Sequence, residues 1–338
     1  RGAAAPSQPT PGAEAGHLSL PVRLNRWLLT LSYYRRAIAA LRRRRPRIVH
    51  CNDYNTMWPG LAAKYLWGAA LVYDSHELWP DRNGRSEPRW WLIACESLFV
   101  RAADEVLTTS PGHAKAIARR HRIPQPRVVR NLPEPAGPLP AHSANGAGLP
   151  GAGEGVFAYA GAVTSGRGLE QAIDALPAAG AARLRILGPG NEGYRSELRA
   201  RADALGVAER VEFAAPVAPG AVLAEIAGAA AGLALIQPVC RSYELSLPNK
   251  LFEYLAAGLP VLASDLPVLG PFVREGGFGI SVTPADTAEI AAAMAELANP
   301  AGNARFRRGA EATRGGLDWR HERAELADAH RAALGVGG

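Results

Sequence analysis

The sequence predicts an α/β protein made of two doubly wound, Rossmann-like domains, the first of them apparently truncated. Three observations predict it. Short apolar runs of strand length alternate with helix-length patterns along the whole chain, as parallel βαβ units require. Residues 135–155, crowded with Pro, Gly, Ala and Ser and without periodicity, read as a linker. Strand-like runs fall on both sides of it: 47–51, 70–74, 105–109 and 127–131 before, then 156–160, 183–187, 211–215, 232–236, 260–264 and 279–283 after. The later set suffices for a doubly wound sheet, whereas the earlier set is short of the usual six strands. The chain begins with Arg1, and residues 1–21 read as loop or disordered sequence, so a truncated N-terminus is expected. The expected division is a first domain over 22–134, a second over 156–314, and a terminal helix over 315–338 that crosses back onto the first.

A chain of 338 residues with 48% hydrophobic content has room for two real cores. No apolar run reaches the roughly 18 residues of a membrane span and no signal peptide is visible, so a soluble protein is expected. Cys51, Cys95 and Cys240 lie far apart without metal-like spacing, which points to a reducing, cytoplasmic compartment. The net charge of +7 favours anionic partners. Much of it gathers in a helix read over 24–45, where Arg26, Arg35, Arg36 and the run from Arg42 to Arg45 mix with Trp27, Leu28, Leu31, Tyr34 and Leu41. Such a helix suits an anionic membrane surface, the inner membrane face, or simply the outside of a domain. No nucleic-acid motif accompanies the charge, and no nucleic-acid partner is expected.

The most informative stretch runs from Pro248 to Ser264. Pro248 fits a first helical turn and Gly258 the position just past the last one, which bounds a short helix leading into an apolar strand. The first-turn N–H groups and the positive dipole end near Asn249 favour an anion, and Lys250 adds a mobile charge. Glu253 can accept from two vicinal sugar hydroxyls. Together these suit a diphosphate joined to a ribose; the plainer alternative is a Lys250–Glu253 surface pair. Earlier, a strand ending at Ala160 leads into Gly161, Gly166 and Gly168, where backbone can approach phosphate and Arg167 can grip two of its oxygens. Gly188-Pro189-Gly190 follows another strand. In the first half, His76 and Glu77 close the strand at 70–74, and ligands bind beyond the carboxyl ends of such strands. Asp53 follows an earlier strand in Asn52-Asp53-Tyr54-Asn55; no second acidic cluster accompanies it, so no metal is expected. Ser110 reads as a helix cap before Pro111.

This order of domains, loops and helix resembles the GT-B glycosyltransferases, most closely the retaining family 4, over about residues 47–297. The resemblance implies transfer of a sugar from a UDP-, GDP- or dTDP-sugar to an acceptor hydroxyl on a glycan, a lipid-linked molecule or a small molecule. The nucleotide sugar is then a substrate, with no cofactor and no metal. It places Glu253 on the donor ribose, and Arg167 and Lys250 on the diphosphate. Gly161, Gly166, Gly168, Gly188, Gly190 and Asn249 line the donor, His76 faces the donor sugar, and Asp53 and Glu77 lie on the acceptor side. The sequence departs from the family in three places. Leu245 stands where a second Glu is usual, eight residues before Glu253, which leaves Glu244 or the backbone N–H of Ser246 for the sugar. Ala162 replaces an Arg after the first glycine, and the family's N-terminal glycine loop has no counterpart. Two rival readings stand beside this one: a nucleotide-sugar epimerase of the same architecture, told apart by its product, and a non-catalytic nucleotide-sugar-binding subunit.

Overall fold

The computed structural model describes residues 20–133, 155–317 and 319–336. Most of the expected N-terminal loop and of the 135–155 linker lies outside these. The chain divides into two compact units.

The described residues of the first unit fall within Ala15–Glu134, Val239–Leu247 and Leu317–Gly338. It opens with α1 (Leu20–Arg44), followed by β1 (Ile48–Asn52), α2 (Tyr54–Trp67), β2 (Ala70–Ser75), α3 (Arg89–Ala102), β3 (Glu105–Thr108), α4 (Pro111–His121) and β4 (Arg127–Val128). The four strands form one parallel sheet in the order β1-β2-β3-β4. Leu71, Val72, Tyr73 and Leu107 are fully buried in it, as the apolar runs require. Ser110 caps α4 by accepting from the His113 N–H at 3.1 Å.

The second unit is described within Pro135–Pro238 and Pro248–Gly316. It runs through β5 (Val156–Ala160), α5 (Leu169–Ala175), β6 (Arg183–Leu187), α6 (Glu192–Ala204), β7 (Val211–Ala214), α7 (Val222–Ile226) and β8 (Ala231–Ala234). The chain then enters α8 (Arg241–Glu244), which groups with the first unit. It returns for α9 (Asn249–Ala256), β9 (Val261–Ser264), α10 (Leu269–Glu275), β10 (Gly279–Val282), α11 (Thr287–Ala298) and α12 (Pro300–Gly316). Its six parallel strands lie in the order β10-β9-β8-β5-β6-β7, the doubly wound arrangement, with the chain reversing direction across the sheet beside β5. Phe157, Leu184, Ile186, Leu233 and Leu262 from the sheet pack with Ile173, Leu198, Ile290 and Met294 from the flanking helices.

One stretch falls outside the expected domain limits. Val239–Leu247 leaves the second unit to pack with the first, because its polar groups are satisfied there. Ser242 Oγ accepts from the Leu78 N–H at 3.2 Å, the Ser242 carbonyl meets His113 Nε2 at 2.9 Å, and the Leu245 carbonyl accepts from Ser110 Oγ at 2.7 Å. The last helix, α13 (Trp319–Ala333), packs against β2, β3 and β4 of the first unit. It is held there by buried Glu322, which accepts from Arg130 N at 2.6 Å and Arg130 Nε at 2.8 Å.

One side chain ties α9 to the sheet. Tyr254, fully buried, donates from its hydroxyl to the Leu233 carbonyl at 3.1 Å and accepts from the Ala160 N–H at 3.0 Å. Its ring fills the space above Gly232, where a Cβ would stand 2.2 Å from it. Removing the hydroxyl leaves two buried backbone groups unpaired, so Tyr254→Phe is expected to destabilise the second unit by about 1–3 kcal/mol in urea unfolding.

Candidate active site

The second unit brings its expected phosphate-side residues together at the carboxyl ends of β5 and β6. Gly161 follows β5 with φ +137° and Gly188 follows β6 with φ +143°. A Cβ at Gly188 would stand 2.0 Å from the Gly161 carbonyl oxygen, so the two turns approach as only glycine permits. The turns are laced by Gly161 N–H to Leu187 O at 2.9 Å and Val163 N–H to Pro189 O at 2.7 Å, with a parallel bridge between Val163 and Gly190. Gly166 (φ +80°) accepts from the Gln237 N–H at 3.0 Å, and Gly168 (φ +78°) begins α5. Arg195, buried on α6, donates to the Gly188 carbonyl and braces the second turn.

Against this framework stands the start of α9. Pro248 lies just before the helix in an extended conformation (φ −74°, ψ 146°) instead of inside its first turn, and its carbonyl accepts from the Leu251 N–H at 3.0 Å. Asn249 is the first helical residue and is exposed, and among the described residues no side chain caps the helix start. Gly258 (φ +69°) closes the other end. Its N–H reaches Leu255 O and the Leu259 N–H reaches Tyr254 O, each at 2.9 Å, the paired bonds of a Schellman stop.

Lys250 occupies the first turn of α9 and is only 8% exposed. Its ammonium lies 3.6 Å from the centre of the Tyr159 ring, and a Cβ at Gly161 would stand 3.5 Å from Lys250 Nζ. Among the described residues Nζ has no hydrogen-bond partner. Burial first, and then the Arg167 guanidinium, hold its pKa well below that of an ordinary lysine, with Glu253 opposing them. Glu253, half-buried one turn later, has its carboxyl pushed up by burial while Lys250 pulls the other way. The geometry thus gathers Gly161, Arg167, Lys250 and Glu253 around a buried lysine Nζ that has no hydrogen-bond partner among the described residues.

In the first unit the strand ends carry a chain of charged groups. His76 Nε2 lies 3.3 Å from Asp74 Oδ2 and its Nδ1 lies 3.5 Å from Asp53 Oδ2. Asp53, at φ +64° and ψ 170°, also accepts from the His76 N–H at 3.0 Å and from Trp79 Nε1 at 3.2 Å. Hydrogen bonds donated by the His76 ring to Asp53 and then to Asp74 outweigh burial and raise the His76 pKa to about 10. Burial pushes the Asp74 carboxyl up, but the bonds from His50 and His76 overcome it and hold it at about 2. Glu77 is exposed, and its carbonyl accepts from Ser75 Oγ at 2.8 Å.

The two sugar-end candidates are already engaged. Glu244 pairs with Arg241 at 2.6 Å, and the Ser246 N–H reaches the Tyr243 carbonyl at 3.3 Å. Leu245 is buried. Sequence reasoning missed Arg195, Tyr159 and Tyr254. Arg195 reads as one more charge on a polar helix, and both tyrosines read as core, so only the three-dimensional lacing reveals them.

A doubly wound second unit, with glycine turns laced at the ends of β5 and β6, and a parallel-sheet first unit make this a two-domain α/β protein. Residues 1–132 match the model of the Glycosyl transferase 4-like domain, and residues 154–299 match that of Glycosyl transferases group 1. The chain belongs to the GT-B glycosyltransferases, and it is a transferase enzyme. It is 28% identical over 312 residues to a D-inositol 3-phosphate glycosyltransferase of Acidothermus cellulolyticus, a match spanning 85% of this chain and 67% of that protein. The fold is similar to sucrose-phosphate synthase from Thermosynechococcus elongatus, with a TM-score of 0.79 at 19% identity over 96% of this chain and 83% of that one. It is also similar to Anabaena HepE in complex with UDP-glucose, with a TM-score of 0.71 at 18% identity over 90% and 82% of the two chains.

The His76 charge state gives a signed pH dependence. With a folded pKa of about 10 against an ordinary 6.5, its stabilising contribution is complete below pH 6.5 and is lost as pH rises through 10. Urea unfolding of the wild type is therefore expected to weaken more between pH 7 and 10.5 than that of His76→Gln.

Proposed function

We propose that the protein moves a sugar from a nucleoside diphosphate sugar to an acceptor hydroxyl, with anomeric configuration retained and without a metal, as a family 4 member. One observation carries the reading: the buried Nζ of Lys250, without a hydrogen-bond partner among the described residues, at the start of α9. Burial and Arg167 together work against its charge more than Glu253 supports it, and a diphosphate would supply the missing counter-charge together with acceptors for the α9 N–H groups. Arg167 and Lys250 then stabilise the charge that builds on the departing diphosphate, as fixed charges held in place before the reaction. Glu253, three residues on, takes the ribose hydroxyls, and Gly161, Gly166, Gly168, Gly188, Gly190 and Asn249 line the donor. The UDP-glucose bound by HepE supports a donor of this class. UDP-, GDP- and dTDP-sugars all remain in its compass.

His76, charged at neutral pH, is assigned to the donor sugar. Glu77, exposed beside it, is assigned to the acceptor, and Asp53 supports His76 from the acceptor side. The two protein cations and the helix start do the neutralising work that a divalent ion does elsewhere, and the Asp53 carboxylate is committed to His76 and Trp79, which supports a metal-independent site. The nucleotide sugar is substrate, and no resident cofactor is invoked. Glu244 and Ser246 reach the sugar only by exchanging their present partners. The three free cysteines, two of them buried, fit a reducing, cytoplasmic setting.

No helix among the described residues is long and apolar enough to cross a membrane. An anionic membrane surface as a further partner is supported by α1, which contains no acidic residue and exposes Trp27 at 74%, with Leu28, Leu31 and a run of arginines. Tyr65 and Leu66 on α2, and Trp90 and Trp91 on α3, are exposed on helices of the same unit. The protein is expected to float with vesicles containing phosphatidylglycerol and to stay behind with pure phosphatidylcholine. Trp27→Ser with Leu31→Ser should cut flotation several-fold, and equal flotation with both lipids would end this part of the reading.

The nucleotide assignment makes opposed demands on one residue. Lys250→Met removes a buried charge, so it is expected to raise the melting temperature of the free protein. It should also abolish the upward shift that UDP, GDP or dTDP gives the wild type. A melting point that still rises with nucleotide in Lys250→Met and in Arg167→Ala refutes the assignment.

A further inference from the structure

Behind His76 the structure holds a second imidazole that the proposed reaction does not use. His50, on β1, points Nε2 at the same Asp74 Oδ2 that faces His76, at 3.2 Å, and points Nδ1 at His330 Nε2 of α13, at 2.9 Å. The two rings meet edge to face, 86° apart. Asp74 Oδ1 is buried and has no partner among the described residues, so the carboxylate leans on Oδ2 alone. An ionised carboxylate only accepts, which requires His50 to carry a proton on Nε2; a single proton can then lie between His50 and His330. We infer that His50 is a positioning residue for His76: it holds the shared Asp74 carboxylate against the His76 ring, while His330 holds the His50 ring in place through its Nδ1.

The charged groups around this chain are few. Asp74 faces His50 from β2, His330 faces it from α13, and Arg43 and Arg44 of α1 share with it the wall of a surface cavity of about 490 Å³. On α13, Asp328 and Arg331 flank His330 and pair with each other. Asp53 and Asp74 are the carboxylates on His76.

The catalytic consequence rests on the assignment of His76 to the donor sugar, but the positioning is measurable without it. In the full chain labelled with ¹⁵N-histidine, the imidazole of wild-type His76 is expected to titrate near 10. In His50→Phe the freed carboxylate turns, and His76 is expected to bind its proton at least tenfold more weakly, about one pH unit lower. His50→Gln, whose carboxamide N–H can donate to Asp74, should restore most of the difference. His330→Phe, a milder change at the far end, should shift His76 in the same direction by less, and it serves if His50→Phe does not fold. A His76 titration that superimposes on the wild type in the folded variants overturns the proposal. In transfer assays with nucleotide sugars, His50→Phe should lower kcat at least tenfold and leave the donor KM unchanged. If the wild type transfers from no such donor, the assignment of His76 fails, while the titration still decides the positioning.

Discussion

A lysine buried with no hydrogen-bond partner for its Nζ among the described residues is the constraint around which the second unit is built. An isolated buried charge costs several kcal/mol even after relaxation, and the face of Tyr159 returns only a part of that. Lys250 cannot escape by rotating its helix. Leu251, Phe252 and Leu255 are buried on the other sides of α9, Tyr254 pins the helix to the Ala160 N–H, and the Gly258 stop fixes its far end. Relief can come by binding an anion or by loss of the proton. The depressed pKa is the second route already in progress. A ligand phosphate drives the same equilibrium back, so its binding should draw a proton onto Lys250.

Most of the fold was legible in the sequence because parallel strands buried on both faces must be continuous apolar runs. The runs at 156–160 and 183–187 agree with β5 and β6, and most other strands differ by a residue or two where hydrogen bonding outlasts or falls short of the apolar run. Pro248 was misplaced by one position, since a proline suits both the residue before a helix and its first turn, and only backbone angles separate the two. The excursion of Val239–Leu247 was not legible. Its side chains look like any loop, and what holds it is three hydrogen bonds to residues more than a hundred positions away.

The site was legible where charge and glycine coincide and illegible where a residue acts through a neighbour. Lys250, Arg167 and Glu253 declare themselves by type and spacing. Histidines do not. His113 and His76 each follow a strand of the same sheet, yet burial lowers the pKa of His113, whose ring meets the Ser242 carbonyl, and two carboxylates raise that of His76. Asp53 follows β1 and Asp74 lies within β2, and only the parallel pairing of these strands, which sets Asn52 beside Asp74, brings them to one ring.

Asp53 also explains why that ring is held so firmly. A non-glycine residue at φ +64° and ψ 170° is strained by about 1–3 kcal/mol and persists only where its surroundings over-determine it. Here its N–H donates to the Asp74 carbonyl at 2.8 Å, and its carboxylate takes the His76 N–H and Trp79 Nε1. Glycine at this position would relieve the strain and lose all the carboxylate's bonds. Asparagine would keep an acceptor for them but not the charge that, with Asp74, keeps His76 protonated. Only a carboxylate serves both demands, so the strain at the start of α2 is the counterpart of the charge at the end of β2.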